Sequence, residues 1–191
     1  DYYRREGHGA DGWVLKGDVR HFFASIDHDK LKRKLKALLD KRGVDPQIYD
    51  LLCVYINTTD GLPLGYQTSQ LLALMFLDEF DHLMKEKYRL KYYGRYMDDF
   101  YVILSDKQRL KEILNDIRAL MDGWGLELNQ KTGIFPLRNG IDFLGFHSYI
   151  TESGGIVQKL RRDSIQRIRA KTKFWEEAYK RGEVTKEAIL Q

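Results

Sequence analysis

Residues 91–104, KYYGRYMDDFYVIL, are the stretch of sequence that decides the fold. Tyr, Phe, Val and Ile dominate this stretch, and residues of these types favour β-strands. The acidic pair Asp98 and Asp99 interrupts the pattern, so the stretch predicts two strands with a turn at the pair. Aspartate is common in turns for purely structural reasons. The apolar strands on both sides weaken this structural explanation, because a bare turn more often carries Asn or Gly than two adjacent charges.

The rest of the chain predicts helices and further strands around this hairpin. Residues 13–15 predict a strand that ends shortly before Asp18. A second hairpin is expected at Asn139 and Gly140, between apolar runs at residues 133–137 and 141–150, and another turn leads into a strand at residues 156–160. Helices are predicted from about Asp29 to Gly43, from Pro46 to Ile56, from a cap at Thr68 or Ser69 to about Tyr88, from a cap at Ser105 or Asp106 to about Gly123, and from about Ser164 onward. This order predicts an α+β fold with helices packed against a mainly antiparallel sheet.

Composition narrows the class of protein. Hydrophobic residues make up 43% of the 191 residues and charged residues 31%, which is typical of a globular domain and excludes disorder. No apolar run is long enough to cross a bilayer, so no membrane partner is expected. Cys53 is the only cysteine, which excludes a disulfide within the chain and predicts a reduced, cytoplasmic setting.

Positive charge is concentrated near the C-terminal end. Residues 159–173 contain seven basic residues and one acidic residue, whereas the whole chain has a net charge of only +4. This asymmetry predicts a polyanion bound at one end of the molecule, although a solvated helix face would give the same pattern. The basic residues are Lys159, Arg161, Arg162, Arg167, Arg169, Lys171 and Lys173.

Three carboxylates are candidates for chemistry: Asp18 after the first predicted strand, and Asp98 and Asp99 in the hairpin. A sheet can place a strand end beside a hairpin turn, and carboxylates that converge there repel one another unless cations neutralise them. Hard oxygen ligands of this kind suit Mg²⁺. Two such ions about 3.5–4 Å apart form the clamp used for in-line phosphoryl transfer.

Five motifs in chain order resemble those of reverse transcriptases, the RNA-directed DNA polymerases. Tyr96-Met97-Asp98-Asp99 is similar to the Tyr-x-Asp-Asp box of that family, and residues 18–28, DVRHFFASIDH, are similar to its first catalytic motif. Residues 61–70, GLPLGYQTSQ, resemble the loop that contacts template and nucleotide. Residues 128–132, LNQKT, resemble the motif with a phosphate-facing lysine, and residues 142–146, DFLGF, resemble the primer-grip hairpin. One motif would be a weak signal, but five in order favour the family.

This resemblance implies a polymerase palm with a two-metal active site. Asp18 and Asp98 would hold two Mg²⁺ ions, which Mn²⁺ could replace. Asp99 would be a weaker ligand, and the backbone carbonyl of Val19 would complete one coordination shell. Lys131 would neutralise or protonate the departing pyrophosphate.

The resemblance also assigns residues to the nucleotide, the primer and the nucleic-acid backbone. Phe23 would be the steric gate whose ring excludes a ribose 2′-hydroxyl, and Gly65 would let the backbone approach the nucleotide and template. Leu64, Ser69 and Gln70 would contact nucleotide or template. The primer end would contact Tyr96, Met97, Phe143, Leu144 and Gly145. Duplex phosphates would contact Arg161, Arg162, Arg167, Arg169, Lys171 and Lys173.

The implied domains are a remnant of the fingers region at residues 1–12, a palm at residues 13–150, and a palm–thumb hairpin with a truncated first thumb helix at residues 151–191. The expected partners are an RNA template, a DNA primer and a deoxynucleoside triphosphate. Because most of the fingers and thumb would be missing, we expect weak or no activity from this chain alone. Self-association through exposed fingers- or thumb-facing surfaces is a further expectation.

The branch of the family is suggested by departures from its common pattern. Leu64 and Gln70 stand where many members have Gln and Pro, which resembles bacterial diversity-generating retroelements, while the Phe-Leu-Gly-Phe box resembles group II intron proteins. Leu64 also predicts error-prone copying. An RNA-directed RNA polymerase and a catalytically silent RNA-binding scaffold remain alternatives. A cyclase that makes cyclic dinucleotides would need a Gly-Gly-acidic-acidic-Phe hairpin, which residues 96–100 do not provide.

Overall fold

The computed structural model describes residues 3–185 of the chain. The chain divides into two compact units, Asp1–Leu137 and Arg138–Gln191. Both units combine helix with antiparallel strands, which confirms the predicted α+β class. The predicted division into a fingers remnant, a palm and the start of a thumb is a functional one and stays a prediction.

The first unit begins with a π-helical segment, Arg4–His8, and has a second such segment at Leu83–Lys87. Its other helices and strands are, in chain order, β1 (Trp13–Gly17), α1 (Phe22–Ser25), α2 (His28–Arg42), α3 (Pro46–Ile56), α4 (Gln67–Phe76), α5 (Asp78–His82), β2 (Tyr93–Tyr96), β3 (Asp99–Leu104), α6 (Lys107–Gly123) and β4 (Gly133–Pro136).

The first unit is built on a four-stranded antiparallel sheet with the strand order β2-β3-β1-β4. Helix α6 packs against β1, β3 and β4, and helices α2, α3 and α4 pack together. The predicted apolar stripe of α6 is buried in this core: it consists of Leu110, Ile113, Ile117 and Met121. Removal of these side chains from water is the main force that holds the helix on the sheet.

The acidic hairpin forms as residues 91–104 predict, with its turn one position earlier. Strands β2 and β3 pair from Tyr93↔Val102 to Tyr96↔Asp99, so Met97 and Asp98 form the turn and Asp99 is the first residue of β3. Met97 has a φ of 53°, because a two-residue hairpin loop needs a left-handed residue to match the twist of its strands.

Capping residues fix the ends of α2 and α3 as the sequence predicts. Gly43 ends α2 in the left-handed conformation, with φ of 64°. The Asp45 side chain accepts a hydrogen bond from the Gln47 amide at the start of α3, and Pro46 occupies the first helical position. A cap of this kind contributes about 1 kcal/mol.

The predicted cap at Thr68 or Ser69 is wrong. Helix α4 begins at Gln67 after Tyr66, and Ser69 is fully buried, where its hydroxyl is hydrogen-bonded to that of Tyr55 at 2.8 Å. A buried hydroxyl needs a partner, and the tyrosine on α3 supplies it in place of the helix N-terminus. The predicted long helix is divided at Leu77 into α4, α5 and the π-helical segment.

The second unit contains a three-stranded antiparallel sheet and one long helix. Its elements are β5 (Ile141–Phe143), β6 (Phe146–Ile150), β7 (Ile156–Leu160) and α7 (Arg162–Lys180), with the strand order β5-β6-β7. Leu144 and Gly145 form the turn between β5 and β6, with φ of 51° and 81°. Residues 142–146 are therefore a hairpin.

The predicted hairpin at Asn139 and Gly140 is wrong. Strand β4 pairs with β1, whereas β5 pairs with β6, so the two apolar runs beside Asn-Gly do not pair with each other. Asn139 instead ends the 3₁₀ turn Leu137–Asn139. The local turn signal was overridden because β1, far away in sequence, provides the partner of β4.

Candidate active site

Strand pairing brings Asp18 and Asp98 to one end of the four-stranded sheet. The β1–β3 ladder ends at Gly17↔Phe100, so Asp18 directly follows the last pair and Asp98 lies in the turn that precedes β3. Both carboxylates line a pocket of about 570 Å³. The pocket is also lined by Val19, Arg20, His21, Phe22, Phe23, Ala24, Leu64, Asn129 and Gln130. Asp18 and Asp98 therefore lie in the same pocket, and the sharing of cations between them stays a prediction.

Asp18 is held in place by the segment that follows α6. The Asn129 amide N–H donates to the Asp18 carbonyl at 2.8 Å, and its side-chain Nδ2 donates to Oδ2 of Asp18 at 3.3 Å. Val19 and Leu128 form an isolated antiparallel bridge beside this contact. The two backbone hydrogen bonds of that bridge use the Asp18 carbonyl and the Arg20 amide, and neither uses the Val19 carbonyl.

Asp98 lies in a concentration of negative charge. Burial is the largest influence and raises the pKa of the Asp98 carboxyl above its usual value; the charges of Asp18 and Asp99 raise it further. A backbone hydrogen bond within Asp98 and the charge of Lys16 act in the opposite direction. A carboxyl whose pKa is raised by neighbouring carboxylates favours a bound cation.

The Asp99 carboxylate has a different environment from that of Asp98. Its Oδ1 accepts a hydrogen bond from Lys16 Nζ at 2.7 Å, and it is not among the residues that line the pocket. Across residues 3–185, no group of three or more His, Cys, Asp and Glu side chains is arranged to hold one metal ion. The structure therefore brings Asp18 and Asp98 together and leaves Asp99 paired with Lys16.

The donor set fits a hard divalent cation. Asp18 and Asp98 supply carboxylate oxygens, which is the number and type of protein ligand that Mg²⁺ uses together with water and substrate phosphates. Asn129 already orients Asp18, as a hydrogen-bonding partner of a metal ligand does. The roles of Val19 and Asp99 as further ligands stay predictions.

Phe23 forms a wall of the same pocket and is held there by the loop before α4. It lies on the short helix α1 next to the buried Phe22, with ring centroids 5.6 Å apart. The Leu62 amide donates to the Phe23 carbonyl at 2.7 Å, and His28 Nε2 donates to the Gly61 carbonyl at 2.8 Å. A Cβ on Gly61 would lie 2.4 Å from the Phe23 carbonyl oxygen, so only glycine allows this close approach.

The other predicted nucleotide or template residues are divided between the pocket and the core. Leu64 lines the pocket and is 75% exposed. Gly65 is exposed with φ of 89° and open space where a Cβ would lie, and Gln70 is exposed on α4. Ser69 lies outside the pocket, because its hydroxyl is buried against Tyr55. A role for Ser69 would therefore be to hold α4 in place.

Lys131 is exposed beside the pocket. Its backbone amide donates to Oδ1 of Asn129 at 3.1 Å, and the pocket is lined by Asn129 and Gln130 from the same motif. Asn129 and Gln130 are site residues that the sequence analysis did not single out, although they lie within the LNQKT motif. The phosphate-facing role of Lys131 stays a prediction.

A half-buried ion pair between Arg95 and Asp81 supports the acidic turn. Arg95 on β2 donates through Nε to Asp81 Oδ1 at 2.8 Å and through Nη2 to Asp81 Oδ2. Its Nη1 donates to the Met97 carbonyl at 2.8 Å, so one guanidinium connects α5 to the turn. Tyr93 donates its hydroxyl to the same carboxylate at 2.5 Å. Sequence reasoning missed this network because no local motif marks it.

Two predicted primer contacts, Tyr96 and Met97, directly precede Asp98 in the hairpin. Tyr96, at the end of β2, is 57% exposed, and Met97 is half-buried. In the second unit, Leu144 is exposed at the tip of the β5–β6 hairpin, with Phe143 and Gly145 half-buried beside it. Primer contact by either set stays a prediction.

The predicted backbone-binding residues lie on and before α7. Five of them are exposed: Arg162, Arg167, Arg169, Lys171 and Lys173. Arg161 is half-buried and pairs with Asp163 at 3.1 Å and with Asp142 at 3.6 Å. At 3.6 residues per turn, Arg162, Arg169 and Lys173 form one stripe of the helix, which leaves a basic face in this unit.

Solved structures with this fold include telomerases. The chain is similar to apo telomerase from Candida tropicalis truncated from its C-terminal domain, with a TM-score of 0.62 and 15% identity over 82% of this chain and 37% of that chain. Telomerase from Candida albicans in complex with the TWJ fragment of telomeric RNA gives a TM-score of 0.62 and 15% identity over 83% and 32%. This likeness shows the fold alone, which is that of a polymerase palm.

The family follows from the sequence comparison. A family model described as reverse transcriptase (RNA-dependent DNA polymerase) matches residues 4–148, which include β1, the acidic hairpin and the pocket. The chain belongs to the reverse transcriptase family.

Two named proteins are similar in sequence to parts of this chain. The putative COX1/OXI3 intron 2 protein of Saccharomyces cerevisiae is 31% identical over 84 residues, which are 40% of this chain and 10% of that protein. Protein YkfC of Escherichia coli K12 is 26% identical over 178 residues, which are 70% of this chain and 46% of that protein. The chain thus spans less than half the length of either relative.

Residues 3–185 contain no helix that combines the length and the apolar character needed to cross a membrane.

Proposed function

We propose that this chain is the catalytic palm of an RNA-directed DNA polymerase that extends a primer 3′-hydroxyl on an RNA template. The observation that carries the proposal is the pocket shared by Asp18, Asp98 and Phe23. It combines two carboxylates for divalent cations with an aromatic wall at the position where the family motif places the sugar-discriminating residue. Membership of the reverse transcriptase family supports the same reaction.

Asp18 and Asp98 would hold two Mg²⁺ ions, which Mn²⁺ could replace, with the Val19 carbonyl as a further ligand. The bound ions would lower the pKa of the primer 3′-hydroxyl and neutralise the triphosphate. A bond would form between the primer 3′-oxygen and the α-phosphorus while the bond to pyrophosphate breaks. Asn129 would keep Asp18 oriented, and Lys131 would approach the departing pyrophosphate from its exposed position.

Phe23 would select the sugar. Phe23 lines the pocket, and the hydrogen bond from the Leu62 amide to the Phe23 carbonyl fixes the backbone that carries its ring. A ribose 2′-hydroxyl would have to displace this ring, whereas a deoxyribose would not. Exclusion of the 2′-hydroxyl in this way would favour deoxynucleotides over ribonucleotides, and thus a DNA polymerase over an RNA-directed RNA polymerase.

An RNA template is the proposed partner because the chain is a reverse transcriptase by family and because a fold neighbour was solved with a fragment of telomeric RNA. The exposed basic stripe Arg162, Arg169 and Lys173 offers the second unit a surface for nucleic-acid phosphates.

An origin in a bacterial retroelement is proposed from the departures at Leu64 and Gln70. Error-prone copying is proposed from Leu64, whose side chain lines the pocket. A Leu64→Gln variant with an unchanged error spectrum would remove that proposal.

The direct test compares primer extension and Mn²⁺ binding in wild type, Asp98→Asn and Asp50→Asn. Asp50 is exposed on α3 and lies outside the pocket, so it is the matched control. Asp98→Asn should reduce incorporation by at least about a hundredfold, because it removes a charge that stabilises the transition state through bound cations. It should also weaken Mn²⁺ binding, which remains measurable if this chain alone extends primers poorly. Equal extension and equal Mn²⁺ affinity in both variants would overturn the proposal.

A silent RNA-binding scaffold would give a different result. It would bind an RNA–DNA duplex through the second unit but would show no Mn²⁺ site that depends on Asp98. Ribonucleotide incorporation by wild type at the rate of deoxynucleotide incorporation would instead favour the RNA polymerase.

A further inference from the structure

Lys16 and Asp99 form an ion pair at the edge of the candidate metal site. The Nζ–Oδ1 distance is 2.7 Å, and the side chains are only 24% and 27% exposed. Water and salt screen such a pair less than a pair on the open surface, so the contact is stronger than an ordinary surface salt bridge.

Strand register, rather than a flexible loop, sets the position of this pair. Lys16 lies opposite Tyr101 in the β1–β3 ladder, and Asp99 precedes Tyr101 by two residues. Residues two apart on a strand share a face, so Asp99 is the diagonal cross-strand neighbour of Lys16. Asp98 is one position earlier and lies in the turn, where it lines the pocket.

The two adjacent aspartates therefore have different partners. Asp98 shares the pocket with Asp18, while Asp99 is paired with a cation that belongs to the protein. For Asp99 to bind a metal ion, its carboxylate would have to leave Lys16, and the ammonium group would then repel the incoming cation.

We propose that Lys16 is a built-in counter-cation that holds Asp99 out of the metal set and weakens divalent-cation binding at Asp18 and Asp98. This inference rests on the proposed function, because it assumes that these two carboxylates bind the metal ions. Lys16 is thus a positioning residue: it acts on the metal site through Asp99.

The test is a Mn²⁺ titration of the intact chain, followed by the electron paramagnetic resonance signal of free Mn²⁺, which needs no catalysis. Lys16→Met should bind Mn²⁺ about tenfold more tightly, because it removes a nearby positive charge and releases Asp99. Lys16→Arg, the charge-conserving control, should stay within about twofold of wild type.

A second pair of proteins keeps the test decisive if Lys16→Met folds poorly. Asp99→Asn in the wild-type background should weaken the affinity by less than about threefold, because it removes no metal ligand and the released Lys16 ammonium group, on its flexible stem, can turn toward water and away from the cation. In the Lys16→Met background, the same substitution should remove the tenfold gain, which gives a coupling between the two positions. Circular dichroism and thermal unfolding verify that each variant is folded.

The outcomes separate this inference from the proposed function. If Asp98→Asn abolishes Mn²⁺ binding but Lys16→Met leaves it unchanged or weaker, the counter-cation inference is wrong and the metal site stands. A loss of more than about tenfold for Asp99→Asn in the wild-type background would also overturn the inference, because Asp99 would then be a ligand. If Asp98→Asn leaves Mn²⁺ binding intact, the proposed function fails and the inference with it.

Discussion

The ion pair between Arg95 and Asp81, next to the acidic turn, gives the sharpest prediction about stability. Arg95 has a side chain that is only 8% exposed, and it connects Asp81 on α5 to the Met97 carbonyl in the turn. Replacement of Arg95 by Met keeps much of the apolar volume but removes all three donors. The Asp81 carboxylate then loses its charged partner, and the Met97 carbonyl loses its hydrogen bond.

The expected cost follows from these lost contacts. Removal of one partner of a buried ion pair costs about 3–5 kcal/mol, because the other charge is left unpaired where water hydrates it poorly. The Asp81 side chain is 35% exposed, so it regains part of its hydration and the cost is reduced. We therefore expect Arg95→Met to lower the free energy of unfolding by about 2–4 kcal/mol.

Urea denaturation at pH 7, followed by circular dichroism, measures this change. Arg33→Met is the matched control, because Arg33 is exposed on α2 and its replacement should change the free energy of unfolding by less than about 0.5 kcal/mol. Arg95→Met should also weaken Mn²⁺ binding, since the turn that carries Asp98 loses a support. A cost below about 1 kcal/mol, with Mn²⁺ affinity unchanged, would refute the proposed support of the turn.

Three further predictions concern the same network and the Phe23 wall. Burial by itself would raise the pKa of Asp81, but hydrogen bonds from Arg95 and Tyr93 and the charge of Arg95 outweigh it and hold the pKa below its usual value of 3.8. The free energy of unfolding of wild type should therefore exceed that of Asp81→Asn by the largest amount at pH 7, and this difference should shrink as the pH falls below 3.8. Acid-unfolding experiments measure the difference, and one that grows below pH 3.8 would contradict this reasoning. Gly61→Ala should lower the free energy of unfolding by at least about 1 kcal/mol in urea denaturation, because φ of Gly61 is 70° and the new Cβ would lie 2.4 Å from the Phe23 carbonyl oxygen. Gly123→Ala is the control: a Cβ there would meet open space, so this variant should not be destabilised. Phe23→Val should raise ribonucleotide incorporation relative to deoxynucleotide incorporation in a primer-extension assay; an unchanged ratio would remove Phe23 from sugar selection.

The parts of the fold that local sequence determines were predictable. The acidic hairpin, the buried stripe of α6 and the caps at Gly43 and Asp45 all rest on residues close together in the chain. The prediction failed at Asn139 and Gly140, where β4 pairs with β1 more than a hundred positions away instead of with the next strand. It also failed at Ser69, whose hydroxyl pairs with Tyr55 on another helix.

In the candidate site, too, local motifs were predictable and contacts between distant residues were not. The motifs identified Asp18, Asp98 and Phe23, and the structure places all three around one pocket. No sequence pattern predicted the pair between Lys16 and Asp99, which are 83 positions apart and meet only through the register of β1 and β3. Such contacts depend on which strands pair, and a single sequence does not encode that in any local signal.

Asp18 and Asp98 are proposed to share divalent cations, and the function proposed for this chain depends on that sharing. An anomalous difference map from Mn²⁺-soaked crystals of this chain measures the claim directly. We expect a Mn²⁺ peak coordinated by carboxylate oxygens of both residues, with Asp99 still bound to Lys16. Manganese bound elsewhere, or carboxylates of Asp18 and Asp98 that point apart at saturating Mn²⁺, would contradict the account.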